Sequence, residues 1–245
     1  MEDKEKRGRK AHGQKGRKHQ GPGDCRLPSR DIRCKSLYGV TQSKPIGTYV
    51  IDDGHKIGQT QLNIYTRNTR TLRTEESLES LLDELKGFKW DIIGLCETKR
   101  EGEGIEELKG GAWLYNQGKT EANKNAKGIG FLIHPKFIDY VRDMKYYSDR
   151  VISLIVQLTG NKQLCVIQVY TPTSDYDDEK VEELYEEVNK AIEDSKAEYT
   201  MGDFNAKIGK CLSGEEAIMG RFGVGERNKR GDMLLEFAAQ HGLIC

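Results

Sequence analysis

From about residue 60 onward, short apolar runs alternate with helical stripes, while the first forty or so positions show neither pattern. Leu62-Asn63-Ile64-Tyr65-Thr66 reads as a strand. Over Glu75–Leu85, Leu78, Leu81, Leu82 and Leu85 recur at i, i+3, i+4 and i+7, the spacing of one helical face. Thr74 is the expected N-cap and Gly87 the expected C′ residue. Residues 90–95 predict a short buried strand leading to Glu97, and residues 128–133 another. Two β-rich runs, 151–158 and 163–170, flank Thr159-Gly160-Asn161-Lys162, which predicts a hairpin. Val181, Leu184, Tyr185, Val188 and Ile192 form the stripe of a long helix whose other face is mostly acidic. Residues 199–202 read as a short strand, and a last helix runs from about Gly231 to His241, closed by Gly242.

Hairpins mixed with helices, rather than strict strand–helix alternation, favour an α/β or α+β sandwich over a Rossmann sheet. No repeat occurs at a solenoid period. After Gly242, Leu243-Ile244-Cys245 reads as the first residues of another buried strand. The expectation there is a truncated sheet with an unpaired edge.

Charge changes this picture. The 245 residues carry 39 Lys and Arg against 39 Asp and Glu, so the formal net charge is zero. The zero is a sum of unequal parts. Residues 1–44 hold about 13 bases against about 5 acids, an excess of about +8, so the remainder carries about −8. Residues 1–44 have few aliphatic side chains and are expected to be a disordered basic arm. Pairs such as Lys6-Arg7, Arg9-Lys10 and Arg17-Lys18 suit phosphate backbones or a nuclear import receptor, and equally a plain solvated tail. Residues 45–60 are expected to be a linker, and residues 61–245 the domain.

Composition excludes some classes. No apolar run approaches the roughly 18 residues of a membrane span. The basic start has no apolar core of a secretory signal. The six cysteines (Cys25, Cys34, Cys96, Cys165, Cys211 and Cys245) include no CxxC pair, which argues against a zinc ribbon. Reduced thiols in a nuclear or cytoplasmic monomer are the simple expectation.

Candidate chemistry gathers at predicted strand ends. Tyr199-Thr200-Met201-Gly202-Asp203-Phe204-Asn205 delivers an Asp and an Asn two residues apart. In a strand that spacing places both on one side. An ionised Asp can orient a water or bind a metal, and an Asn amide can donate to a phosphate oxygen without adding charge. The same sequence also reads as an ordinary polar turn. Asp91-Ile92-Ile93-Gly94-Leu95-Cys96-Glu97 ends an apolar strand with a lone acid, suited to a hard cation such as Mg²⁺ or to plain solvation. Asn68 in Thr66-Arg67-Asn68-Thr69 ends the first strand, and Tyr170 in Val169-Tyr170-Thr171-Pro172-Thr173 ends a hairpin strand. Asn228-Lys229-Arg230-Gly231 enters the last helix, either as a phosphate contact or as a simple helix start.

Taken in order, these segments resemble the endonuclease/exonuclease/phosphatase superfamily. The wording is nearest to the apurinic-type endonucleases of non-LTR retrotransposons of the RTE (BovB-type) clade. The resemblance covers roughly residues 61 to 245 and rests on TRNTRTL, DIIGLCETKR, GIGFLIHPK, YSDRVISL, QVYTPTSD, GDFNAKIG and GRFGVGERNKRGDMLLEFAAQHGL. It implies a two-sheet α/β sandwich flanked by helices, the deoxyribonuclease-I-like fold. It also implies Mg²⁺- or Mn²⁺-dependent hydrolysis of DNA phosphodiesters. By resemblance, Asn68 and Glu97 hold metal, Tyr170 bonds the scissile phosphate, Asp203 positions the attacking water, and Asn205 stabilises the transition state. Arg150, Asn228 and Arg230 stand in motifs that imply contact with DNA phosphates.

Two departures matter. Arg67 stands where the family usually has Trp, and the chain stops before the family's late Asp and terminal Ser-Asp-His motif. His134 and His241 are expected to be structural. The expectations are therefore an endonuclease-like protein of weak or lost activity, or a derived nucleic-acid or chromatin binder that does not cut. A phosphatase or deadenylase of the same superfamily fits the RTE-like wording less well.

Overall fold

The computed structural model describes residues 31–32, 47–52, 57–158, 162–173, 176–197, 199–220 and 223–245. The predicted basic arm lies outside the described residues except for a two-residue strand, β1 (Asp31–Ile32). Within the segment expected to be a linker, β2 (Gly47–Asp52) and β3 (Ile57–Leu62) form an antiparallel hairpin.

Two mixed five-stranded sheets make the body. The first contains β4 (Ile64–Asn68), β5 (Ile92–Cys96), β6 (Glu103–Glu107), β7 (Trp113–Gln117) and β8 (Ile129–Ile133) in the order β4-β5-β8-β7-β6. The second contains β9 (Val141–Ser148), β10 (Val151–Gln157), β11 (Gln163–Tyr170) and β12 (Tyr199–Asp203) with β1, in the order β1-β12-β11-β10-β9. β4 runs parallel to β5, and β11 parallel to β12. The helices are α1 (Glu75–Leu85), α2 (Asp178–Ser195) and α3 (Lys229–Gln240). This is the two-sheet α/β sandwich the sequence predicts.

The period of two explains the unbroken apolar runs. In β5, Ile92 and Cys96 join the cluster between the sheets, whereas Ile93 and Leu95 join the one beneath α1. In β11, Leu164, Val166 and Tyr170 face the other sheet, and Cys165, Ile167 and Val169 face α2 and α3. Strands covered on both faces need apolar residues at every position. Gln168, fully buried, is the polar exception on the inner face of β11. Its Nε2 donates to Thr66 Oγ1 at 3.0 Å and lies 3.0 Å from Cys96 Sγ. Gly94 leaves room for it, since a Cβ there would meet Gln168 Oε1 at 1.9 Å.

Several predicted boundaries shift. The run from Leu62 to Thr66 is broken at Asn63, whose N–H and side-chain amide donate to buried Asp91 at 2.6 and 3.0 Å. Leu82 is only half-buried, while Leu78, Leu81 and Leu85 are buried. Thr74 caps α1 as predicted, accepting from Ser77 N at 3.3 Å. The cap at the other end is Lys86 in right-handed conformation, so Gly87 does not supply a left-handed turn. Leu243–Cys245 is no strand. Leu243 N instead returns to Ala238 O at 2.8 Å, and Cys245 exchanges backbone bonds with Ile218 and Gly220. β6 was not legible, because all five of its residues are exposed and no alternation announces it. β10 and β11 pair from Gln157↔Gln163 to Val151↔Val169, as the predicted hairpin requires.

Candidate active site

The inner-face alternation of three strands carries their polar ends to one place. Tyr199 and Met201 face the sheet interior, so Asp203 does too, one pleat beyond them. Tyr170 follows Leu164, Val166 and Gln168 on the same face of β11. Asn68 follows Ile64 and Thr66 on β4. Parallel pairing of β4 with β5 and of β11 with β12 brings these C-terminal ends together, and Glu97 follows directly on β5.

Asn68 joins the two sheets. Its Nδ2 donates to Glu97 Oε1 at 2.7 Å and to Asp203 Oδ2 at 2.8 Å. The other carboxylate oxygen of Asp203 accepts from Asn205 N at 3.0 Å. Asn205 Nδ2 donates to Thr171 O at 2.7 Å, which leaves its second N–H free to donate elsewhere. Burial pushes the Tyr170 phenol up from its ordinary value, and the neighbouring negative charge of Glu97 pushes it further, against the opposing Arg150. The hydroxyl is therefore protonated and able to donate at neutral pH. Beneath the site, burial pushes the Cys96 thiol up to about 12, so it is an inert packing group.

Strain collects here as well. Among the described residues, five non-glycine positions have positive φ, and four belong to this end: Arg70 (59°), Glu97 (55°), Lys99 (52°) and Asn205 (46°). Such conformations cost about 1–3 kcal/mol each and persist where surrounding contacts fix them. The contacts are visible. Thr98, fully buried, donates to Asn116 Oδ1 at 2.8 Å, and Lys99 N donates to Lys127 O at 2.8 Å. Gly202 (φ 152°) lets β12 approach β11 closely, since a Cβ would stand 1.9 Å from Val169 O.

The site opens into a cavity of about 300 Å³ lined by Glu97, Lys99, Lys127, Arg150, Tyr170, Thr173 and Tyr176. Arg150 donates to Tyr170 O at 3.2 Å, and its guanidinium lies 5.3 Å from the Tyr170 ring centre and 5.6 Å from that of Tyr176. Sequence reasoning missed Lys127 and Tyr176, which stand in loops with no pattern of their own. Lys99 was within reach of it, two residues after Glu97.

The remaining candidates lie differently. Asn228 caps α3 through its carbonyl oxygen, which accepts from Gly231 N at 2.9 Å and from Lys207 N at 3.0 Å. Arg230 is turned inward, 6% exposed, donating to Tyr176 O and pairing with Asp178 at 3.0 Å. Its charge holds a loop through Tyr176 O and Asp178. His134 ends β8 at the edge remote from Glu97 and packs edge-on against Trp90 at 5.0 Å. His241 packs on Phe237 at 4.6 Å, at the far end of α3 from Asn228.

The donor set fits a hard cation. Glu97 and Asp203 offer carboxylate oxygens around one point, now bridged by an amide, and Mg²⁺ takes one or two carboxylates while keeping its waters.

The family comparison agrees with the geometry. The model of the Endonuclease/Exonuclease/phosphatase family matches residues 60–211, and the chain belongs to this family. Craniofacial development protein 2 of Bos taurus is 29% identical over 185 residues, covering 74% of this chain and 30% of that protein. The protein of the same name from Tragulus javanicus is 29% identical over 185 residues, covering 74% and 31%. The chain thus spans less than a third of the length of these curated relatives. Among solved structures, humanized D. rerio TDP2 is similar with a TM-score of 0.39 and 11% identity, over 59% of this chain and 62% of that one. The human Nocturnin catalytic domain with bound sulfate anion gives a TM-score of 0.35 and 14% identity, over 55% and 58%.

Proposed function

We propose that this chain is a divalent-metal-dependent endonuclease domain of RTE-type ancestry that hydrolyses DNA phosphodiesters. One observation carries the reading: the Asn68 amide lies between Glu97 and Asp203, two carboxylates from different sheets. In this reading Asp203 orients the attacking water and takes its proton. Tyr170 and the free N–H of Asn205 donate to the phosphoryl oxygens, adding no net charge. Glu97 and Asn68 hold Mg²⁺ or Mn²⁺. Bound there, the cation supplies Lewis-acid polarisation of a phosphoryl oxygen. Residues 1–44 supply backbone contacts to DNA and a signal for an import receptor, which makes the nucleus the expected compartment.

A second reading is nucleic-acid or chromatin binding without cutting, supported by the excess of Lys and Arg in residues 1–44. One experiment separates the two. Purified protein is incubated with supercoiled plasmid and an abasic-site duplex in Mg²⁺ or Mn²⁺. Nicking that disappears in Glu97→Gln and Asp203→Asn supports the enzyme. Retention of DNA at low salt without nicking, lost on deletion of residues 1–44, supports the binder.

A further inference from the structure

A second cavity, of about 400 Å³, adjoins the first and is lined by Tyr176, Asp177, Asp178, Asn228, Lys229 and Arg230. Tyr176 lines both cavities. The two differ in charge. The first gathers Lys99, Lys127 and Arg150 against Glu97 alone. In the second, Lys229 and Arg230 are matched by Asp177 and Asp178, and both cations are ion-paired to Asp178. A phosphate is therefore drawn to the first cavity, whereas the second favours an uncharged group.

Tyr176 is suited to receive such a group. The residue is 45% exposed. Its backbone is fixed, with Tyr176 N donating to Thr173 O at 3.1 Å and Tyr176 O accepting from buried Arg230. Arg150 covers the ring from the first cavity at 5.6 Å. Asn228 lines the second cavity with Tyr176, and Asn228 Oδ1 is already committed to Gly231 and Lys207, leaving its NH₂ to donate. An aromatic ring beside an amide donor, next to a cationic phosphate cavity, matches the parts of a nucleotide.

We infer that the Tyr176–Asn228 cavity is a subsite for the base and sugar of the nucleotide adjoining the bound phosphate, with the base stacked on Tyr176. The inference rests on the proposed nucleic-acid phosphodiester chemistry of the neighbouring site. Stacking on one aromatic side chain is sequence-tolerant, because every base has a π-face. The subsite therefore reads the presence of a base rather than its identity.

The test uses two small probes, thymidine 3′,5′-bisphosphate and its base-free tetrahydrofuran counterpart, titrated calorimetrically into the full chain in Mg²⁺. Wild type is expected to bind the nucleoside bisphosphate roughly tenfold more tightly than the base-free compound. Tyr176→Ala should erase that difference, and Tyr176→Phe should retain it. Equal binding of both probes by wild type overturns the inference. So does no binding of either, or an equal loss for both in Tyr176→Ala. Plasmid nicking is scored separately: a chain that discriminates the probes but does not nick keeps the subsite and loses the proposed catalysis. A chain that nicks without discriminating loses only the subsite.

Discussion

The amide nitrogen of Asn68 lies 2.8 Å from Asp203 Oδ2, joining residues 135 positions apart across the gap between the two sheets. The same nitrogen holds Glu97 at 2.7 Å. Two carboxylates are thus kept near one another by a single neutral donor, in the place that suits a cation.

Asn68→Ala removes that donor and leaves two half-buried acids facing one another. Hydrogen bonds to charged groups contribute about 1.5–3 kcal/mol, so the variant should lose about 2 kcal/mol in EDTA, read by urea unfolding. Saturating Mg²⁺ should stabilise the variant less than it stabilises wild type, because Asn68 holds the cation with Glu97. An equal gain from Mg²⁺ in both proteins would mean that Asn68 does not hold the cation.

Metal should stabilise the folded chain through Glu97. A ligand at about 100 times its Kd adds about 2.7 kcal/mol, visible as a rise in Tm on adding Mg²⁺. Glu97→Gln keeps an oxygen to accept from Asn68, so the fold should survive while the Tm rise is lost. Nicking by the same variant should fall at least about a hundredfold. A Glu97→Gln protein that still gains stability from Mg²⁺ places the cation elsewhere.

Backbone conformation at Gly202 and Asn205 should separate stability from activity. Gly202→Ala drives a Cβ to 1.9 Å from Val169 O at φ 152°, and should cost about 3 kcal/mol. Asn205→Gly relieves the strain of φ 46° but loses the bond to Thr171 O. These effects nearly cancel, so its stability should stay within about 1 kcal/mol of wild type. Nicking should nevertheless drop steeply. Urea midpoints and plasmid nicking on both variants check the contrast.

The strand ends were legible because period two and apolar runs fix which side a terminal residue faces. Asp203, Tyr170 and Asn68 each stand one pleat beyond an inner-face residue, Met201, Gln168 and Thr66 respectively, and local sequence suffices to say so. Helix stripes in α1 and α2 were legible for the same reason. What was hidden is non-local. The strand break at Asn63 depends on Asp91, 28 residues away. The inward turn of Arg230 depends on Tyr176 and Asp178, which lie on a different element. The left-handed backbone at Glu97 and Lys99 has no glycine to mark it, being held by Thr98, Asn116 and Lys127. A propensity argument cannot see contacts that only the assembled sheets create.

The loop after Asn205 should give the protein a specific acid response. Arg227 forks onto both oxygens of Glu215 at 2.5 and 2.6 Å and also donates to Ile208 O at 2.8 Å. Arg227 holds the Glu215 carboxyl down to about 2, with help from the backbone N–H of Leu212. The folded-state value lies below the ordinary 4.5, so the stabilisation is fully present above pH 4.5 and is lost as pH falls toward about 2. Other carboxylates add a background slope, and Glu215→Gln should remove one proton's worth from it between these limits. Arg227→Gln should flatten the same window, because the carboxyl then titrates near its ordinary value in both states. Lys207 N and O both bond to Asn228, next to Arg227, so loosening the fork should also free the loop that follows Asp203 and Asn205. Urea midpoints at pH 5, 4 and 3 for the three proteins measure the effect. Parallel pH profiles for wild type and Glu215→Gln would show that the fork contributes nothing to acid stability.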